Sequence, residues 1–331
     1  MKESVAVIIP TYNEEKYIET CVDSVRRQTF PFENMDIMIV DGGSDDRTCE
    51  IVKEMSLTWK NIRLINNPQK IQSVAFNIGV ANSTAPVIVR LDAHAEYHEK
   101  YIELCLKHLT DNPQVGDVGG VWDIKTRGIG IVADANVVLN QSRFGIGGAS
   151  FRIGAQAGYV DTVPFGAFPR RVVDEIGGMR EDMPRAEDNE YVSRIKKAGY
   201  KIYLDPEIIC TYYARDTFMG SVKQMYANGL SIGHLFYVDK VAIGLRHFVP
   251  FAFVTSLLLT AVGTIMWLPF AYLLALIIGS YVVVDLMATF FECKKHGWRY
   301  VIVLPLLFLS IHISYGWGTL VGLFKYIGRG N

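Results

Sequence analysis

The amino-acid sequence predicts an α/β domain followed by membrane-spanning helices, and three observations carry that expectation. Short β-branched runs alternate with helix-like stretches over the first 210 or so of the 331 residues. Clusters of polar residues follow three of those runs directly. Beyond Phe248 the chain turns into long runs almost free of charge.

The runs Val5–Ile9, Ile37–Val40, Ile62–Ile65 and Val87–Leu91 read as buried strands, with helices expected around 15–28, 47–56 and 71–82. That alternation predicts a largely parallel sheet with helices on both faces. Ligands of such sheets bind beyond the carboxyl ends of the strands, so "PTYNE", "DGGSDD" and "DAHA" should converge. No GxGxxG follows a strand, so a dinucleotide site is not supported. In "DGGSDDRT", Ser44 or Asp45 is expected to cap a helix starting near Arg47. "VVDEIGGM" reads as a helix ending in a glycine cap and a packing turn.

Three apolar runs, Phe248–Met266, Ala271–Phe291 and Val301–Phe324, approach the roughly 20 residues needed to cross a bilayer. The second holds only Asp285 and the third only His312 as titratable groups of note. By the positive-inside rule, Arg246, His247 and the basic "ECKKHGWRY" face the cytoplasm. A third crossing would place Lys325 and Arg329 outside, against that rule, unless Gly316-Trp317-Gly318 interrupts the helix and makes the segment re-entrant. Two or three spans are therefore both open. Just before them, "FMGSVKQMYANGLSIGHLF" places Phe218, Val222, Met225, Gly229, Ile232 and Phe236 on one helical stripe. Such a helix either packs on the α/β domain or lies on the membrane surface. The expected organisation is an α/β domain over 1–214, an amphipathic juxtamembrane helix within 215–247 and a membrane domain over 248–331.

A formal net charge of −1 argues against a nucleic-acid partner. The five cysteines show no CxxC and read as reduced thiols. The apolar run near the N-terminus, Val5–Ile9, is too short for a signal-peptide core, so the α/β domain is expected in the cytoplasm and the chain as a multi-pass protein of the cell membrane.

Five segments in order, "VIIPTYNEEKYIETCVDSVRRQT", "IMIVDGGSDDRTCEIV", "LDAHA", "VPFGAFPRRVVDEIGGM" and "AEDNEYVSRIKKAGYKIYLDPE", resemble the inverting family 2 glycosyltransferases, whose GT-A fold is a nucleotide-sugar-binding, Rossmann-like domain. The "DAHA" variant and the apolar C-terminal runs further resemble the membrane-bound enzymes of bacterial exopolysaccharide assembly, of the succinoglycan-biosynthesis type. The resemblance implies a nucleotide-sugar donor held by Pro10, Thr11, Tyr12, Glu14, Asp41 and Asp92. A backbone amide and the Tyr12 ring suit a nucleobase, and Asp41 suits a base N–H. It also implies that Asp188 is the general base for the acceptor hydroxyl, with Glu187 orienting the acceptor or the base, and Phe165 to Phe168 as the acceptor-side wall. An acidic first turn is equally what a dipole-matched helix would show, which explains acidity without reactivity.

In the resembling enzymes an Asp-x-Asp pair binds a divalent cation; here Asp92 and His94 stand in those places, and an imidazole ligand favours Mn2+ over Mg2+. A surface histidine in a turn is the competing reading of His94. Where processive relatives carry Gln-x-x-Arg-Trp, this chain has Gln224-Met225-Tyr226-Ala227-Asn228, which argues against polymerisation. The function that follows is transfer of one sugar from a nucleotide-sugar to a polyprenyl-diphosphate-linked saccharide at the membrane. A polyprenyl-phosphate sugar synthase and a non-catalytic nucleotide-sugar-binding scaffold are the alternatives. Donor sugar, base, linkage and oligomeric state are not set by these residues.

Overall fold

The computed structural model describes residues 4–146 and 148–328; Arg329 lies outside the described residues. The chain divides into two compact units, residues 1–123 with 149–213, and residues 124–148 with 214–331.

The first unit is built on a nine-stranded sheet. Its strands are β1 (Val5–Thr11), β2 (Met35–Asp41), β3 (Ile62–Asn66), β4 (Val87–Arg90), β5 (Glu96–Tyr97), β6 (Val115–Lys125), β7 (Gly158–Val160), β8 (Ala167–Pro169) and β9 (Lys201–Tyr213). The order is β3-β2-β1-β4-β8-β6-β9-β5, with β7 on β9. The first four strands pair in parallel, as the alternating pattern predicts. From β4 onward the pairing turns antiparallel, beginning with Val87 opposite Pro169. The central parallel strands are largely apolar, with β1 buried along its whole length, because both faces are covered. Val5, Val7 and Ile9 of β1 pack with Met35, Ile37 and Ile39 in one core, while Ala6 and Ile8 pack with Phe76, Ile88 and Phe168 in the other.

Each of the first three helices follows its strand. Ile18–Arg26, Thr48–Thr58 and Gln72–Ala81 fall within a few residues of expectation. The cap of the second differs: Asp46, rather than Ser44 or Asp45, accepts from the Thr48 amide and hydroxyl through Oδ1. Ser44 is drawn away because its hydroxyl serves Asp41 and the Asn13 amide. The helix Arg170–Ile176 ends at Gly177, as the glycine pair predicts, with a φ of 80° that glycine adopts freely.

Among its described residues the second unit holds three helices long and apolar enough to cross a membrane: Leu245–Met266, counted with its opening 3-10 turn, Pro269–His296 and Val303–Lys325. Gly316-Trp317-Gly318 does not interrupt the last of them, which is continuous. The glycines instead let backbones touch. A Cβ on Gly316 would sit 2.2 Å from the Pro250 carbonyl oxygen, and one on Gly318 would sit 2.3 Å from that of Tyr226.

The predicted amphipathic helix forms over Phe218–Val238, where the Thr217 hydroxyl caps it by accepting from the Gly220 amide. Within the second unit it packs along Val303–Lys325. Two small-xxx-small pairs, Gly229 with Gly233 and Gly318 with Gly322, make the seam, a device that brings apolar helices into backbone contact. The Ser314 hydroxyl donates to the Val222 carbonyl at 2.7 Å, and the Tyr326 ring stacks on His234 at 4.0 Å, so the two helices run parallel. The expected stripe is partly right: Met225, Gly229 and Ile232 are buried, but the buried face also takes in Ser221, Ser231, Gly233 and His234. A helix–helix seam needs small residues, which hydrophobic periodicity does not detect.

Candidate active site

The loops after β1 and β2 interlock. The Asn13 amide donates to Ser44 Oγ at 2.8 Å, the Asp45 amide to Asn13 Oδ1 at 3.0 Å and the Glu14 amide to Thr48 Oγ1 at 2.8 Å. Parallel register sets Thr11 beside Asp41, and the Gly42 amide donates to the Thr11 carbonyl. A cleft opens at these strand ends, lined among others by Pro10, Thr11, Tyr12, Glu14, Asp92, Ala93 and His94. Tyr12 is 49% exposed and presents its ring, over which Lys70 Nζ stands at 5.1 Å.

Asp41 is not among the lining residues of this cleft. Its buried carboxylate turns back on its own loop, accepting from the Gly43 and Ser44 amides at 2.8 Å each and from the Ser44 hydroxyl. Sequence reading also passed over Asn67, Lys70 and Gln72, which line the cleft from the segment after β3. Their only signal was the same strand-end rule, since "NNPQKIQ" carries no recognised motif.

Around Asp92 the site is electrostatically dense. Arg90 Nη2 donates to Gln72 Oε1 at 3.2 Å and to Asp92 Oδ1 at 3.3 Å, and lies 3.7 Å from Glu187 Oε1. A charged residue in the otherwise apolar run "VIVRL" was the sequence signal for Arg90, and it was missed. Burial opposes the Arg90 charge, but Asp92, then Glu187, then Asp188 outweigh it and hold the guanidinium protonated. His94 Nδ1 lies 3.0 Å from Glu14 Oε1, joining two residues 80 apart in sequence. Among the described residues, no group of three or more His, Cys, Asp or Glu side chains gathers as a metal cluster. Asp92 and His94 both line the cleft, with Glu14 beside the His94 imidazole.

Glu187 and Asp188 open the helix Glu187–Lys197, and the residue before them, Ala186, takes a left-handed φ of 61°. Non-glycine residues in that region are held there by their surroundings and gather at functional sites. The two acids face opposite environments. Glu187 is buried, and burial, then Asp188, push its carboxyl up to about 7 against the pull of Arg90. Asp188 is exposed, with Oδ1 accepting from the Asn189 amide at 2.8 Å.

A third acid was not foreseen. Asp117 on β6 is 1% exposed, its Oδ1 has no hydrogen-bond partner, and burial followed by the charge of Asp188 holds its proton well above the usual carboxylate range. A Cβ on Gly166 would sit 2.1 Å from that oxygen, so the glycine of "PFGAF" makes room for Asp117. Phe165 beside it takes φ 49°, and its carbonyl accepts from the Tyr101 hydroxyl at 2.6 Å.

A parallel sheet turning antiparallel after β4, with a polar cleft at its strand ends, is a GT-A-like α/β domain. Residues 6–169 match the model for glycosyl transferase family 2. The chain carries a glycosyltransferase family 2 domain and is a transferase. It is 27% identical, over 97% of both chains, to a Methanococcus voltae protein named dolichyl N-acetyl-alpha-D-glucosaminyl phosphate 3-beta-D-2,3-diacetamido-2,3-dideoxy-beta-D-glucuronosyltransferase. It is 29% identical to the succinoglycan biosynthesis protein ExoA of Rhizobium meliloti, over 74% of each chain. Among solved structures, the mannosyltransferase PcManGT of Pyrobaculum calidifontis, in complex with GDP-Man and Mn2+, superposes with a TM-score of 0.61 at 20% identity, covering 95% of this chain and 87% of that one. That likeness is one of fold.

Proposed function

We propose that this transferase moves a single sugar, with inversion, from a nucleotide-sugar to a polyprenyl-diphosphate-linked saccharide at the cytoplasmic face of the cell membrane. The observation that carries the reading is the contrast within the acid pair: an exposed Asp188, whose Oδ1 accepts from the Asn189 amide, beside a buried Glu187 whose carboxyl is pushed up to about 7. An acceptor hydroxyl approaching Asp188 meets a carboxylate able to take its proton as the oxygen attacks the anomeric carbon. Glu187, tied to Arg90, holds that end of the helix in place.

On the donor side, Pro10, Thr11, Tyr12 and Glu14 form the base and ribose end, with the Tyr12 ring as a stacking face. Asp41 contributes by shaping its loop. A divalent cation, when bound, would neutralise charge building on the departing diphosphate. Asp92 and His94 would hold it, with Glu14 at Nδ1 fixing the ring and leaving Nε2 as ligand, and an imidazole in the set favours Mn2+ over Mg2+. A lipid-linked acceptor enters from one relative, whose name specifies a dolichyl-phosphate-linked sugar, and polysaccharide synthesis from the other, named for succinoglycan biosynthesis. The domain organisation we propose is a donor- and acceptor-binding domain over 1–214, a juxtamembrane helix within 215–247 and a membrane domain from 248 onward.

The test is to incubate the detergent-purified protein with a panel of nucleotide-sugars and extracted lipid-linked acceptors. Mass spectrometry should reveal a lipid product heavier by one sugar. Sugar added only to bare polyprenyl phosphate would overturn the acceptor assignment in favour of a polyprenyl-phosphate sugar synthase.

A further inference from the structure

The three long apolar helices are not alike. In their most apolar 18-residue windows, 11% of residues are buried in each of the first two, but 44% in Val303–Lys325. A crossing helix surrounded by lipid exposes apolar side chains widely, as Pro269–His296 does with Leu273, Ile278, Val282 and Val284, while Val249–Met266 buries only Val254, Thr260 and Gly263. The last helix is two-faced. Its buried side packs along Phe218–Val238, while Leu306, Leu309, Ile313, Trp317 and Phe324 lie exposed along the other at helical spacing.

Height along the helices then decides between crossing and lying flat. A Cβ on Gly316, just past the midpoint of Val303–Lys325, would meet the carbonyl oxygen of Pro250 at the start of the first span. His247 Nδ1 lies 2.7 Å from the hydroxyl of Tyr315. If Val303–Lys325 crossed the bilayer, its midpoint would sit at the bilayer centre, and Arg246 and His247 would be drawn there too. A charged residue at that depth is strongly disfavoured unless it faces a protein partner or a water-filled cavity. Parallel packing adds a second objection: Phe218–Val238 would have to reach the far side beside its partner, and only residues 239–248 could bring the chain back to begin the first span. Two 3-10 turns occupy much of that link.

We propose that the chain crosses the membrane twice, through Val249–Met266 and Pro269–His296, and that Val303–Lys325 lies in the cytoplasmic interface with its exposed apolar face in the phospholipid leaflet. Buried to the headgroup and acyl boundary, such a helix needs apolar residues on one side only. This arrangement keeps Lys325 on the same side as Arg246, Lys294 and Lys295, as the positive-inside rule asks. It seats the Phe218–Val238 helix, which carries Lys223 and Gln224, at the surface rather than in the hydrocarbon.

The inference rests on the membrane-anchored reading above, yet neither test below measures sugar transfer. In the first, the full chain carries one epitope tag at each terminus and sealed inverted membrane vesicles are treated with protease. Both tags should be lost together; loss of the N-terminal tag with protection of the C-terminal one would overturn the proposal. In the second, Cys49→Ser removes the one native cysteine that is not buried. Single cysteines then replace Leu306, Ile313 or Phe324 for spin labelling in vesicles of phosphatidylethanolamine and phosphatidylglycerol. All three labels should report one shallow depth. A progression through the bilayer centre, or three labels in water, would sink the idea. Release of the whole chain by alkaline carbonate would instead sink the membrane anchor itself.

Discussion

The strand-end cleft and the start of the acid helix are both rich in carboxylates, and they use them differently. In the cleft Glu14 meets His94 and Asp92 meets Arg90, and just outside it Asp41 holds the Gly43 and Ser44 amides. At the helix start Glu187 is buried with raised proton affinity, as is Asp117 on β6, and Asp188 stands exposed against a backbone amide. Paired charges make a preorganised binding surface, whereas acids pushed apart in proton affinity make a place where protons move. Adjacent residues in one helical turn thus take different roles because one faces the core and the other does not.

The largest expected effect tests the second half of that contrast. Asp188→Asn keeps the shape of the helix start and removes the base, so transfer should fall by about 10²–10⁴-fold. Nucleotide affinity, read by calorimetry, should barely change. Turnover within a few-fold of wild type would show that Asp188 is not the base.

A smaller effect probes the cleft. His94→Ala should weaken metal-dependent activity and Mn2+ affinity by roughly 10- to 100-fold, as loss of a ligand or its support does, and His94→Asp should recover activity while moving preference towards Mg2+. Metal titrations that coincide for wild type and His94→Ala would remove His94 from the ligand set.

The contrast also predicts a pH dependence of stability. The folded protein holds the Glu187 proton more tightly than the unfolded chain does, so in the window from the ordinary value of 4.5 up to about 7 folding favours the protonated form. Stability contributed by this group is therefore present below that window and is lost as pH rises through it. Glu187→Gln should gain on wild type from pH 4.5 to about 7 and stay level above, in denaturant melts across that range. A difference independent of pH would show that Glu187 ionises as an ordinary carboxyl.

The smallest effect belongs to Asp117. Asp117→Asn replaces a buried carboxyl that has no cation at its Oδ1 with a neutral group of the same shape. Stability at neutral pH should rise by about 1 kcal/mol, or roughly 2–4 °C in melting temperature. A clear loss of stability would mean that Asp117 is ionised and paired in the folded protein.

Much of this was legible in the sequence. β-branched runs set the parallel strands, and strand-end clusters announced the cleft because parallel strands must deliver their carboxyl ends to one edge. Pro10, Thr11, Tyr12, Glu14, Asp92 and His94 duly meet there. Local pattern could not reveal partners distant in sequence. Glu14 and His94 are 80 residues apart, and Asp117 and Gly166 meet only because β6 and β8 pair antiparallel. Nor could it foresee that Asp41 would turn inward on its own loop, since an Asp before two glycines reads equally as ligand or as turn former.

The sequence alone determined the order of strands and helices, the presence of an acid pair and the length of each apolar run, because those depend on periodicity and composition along the chain. Only the tertiary structure decided which acid is buried, what each charge faces and which of three similar apolar helices has protein along one whole side. Burial, electrostatic environment and helix height are properties of neighbours in space. Hydropathy assigns Val303–Lys325 to the hydrocarbon along with the other two helices, and it is the glycine seam with Phe218–Val238 that sets it apart.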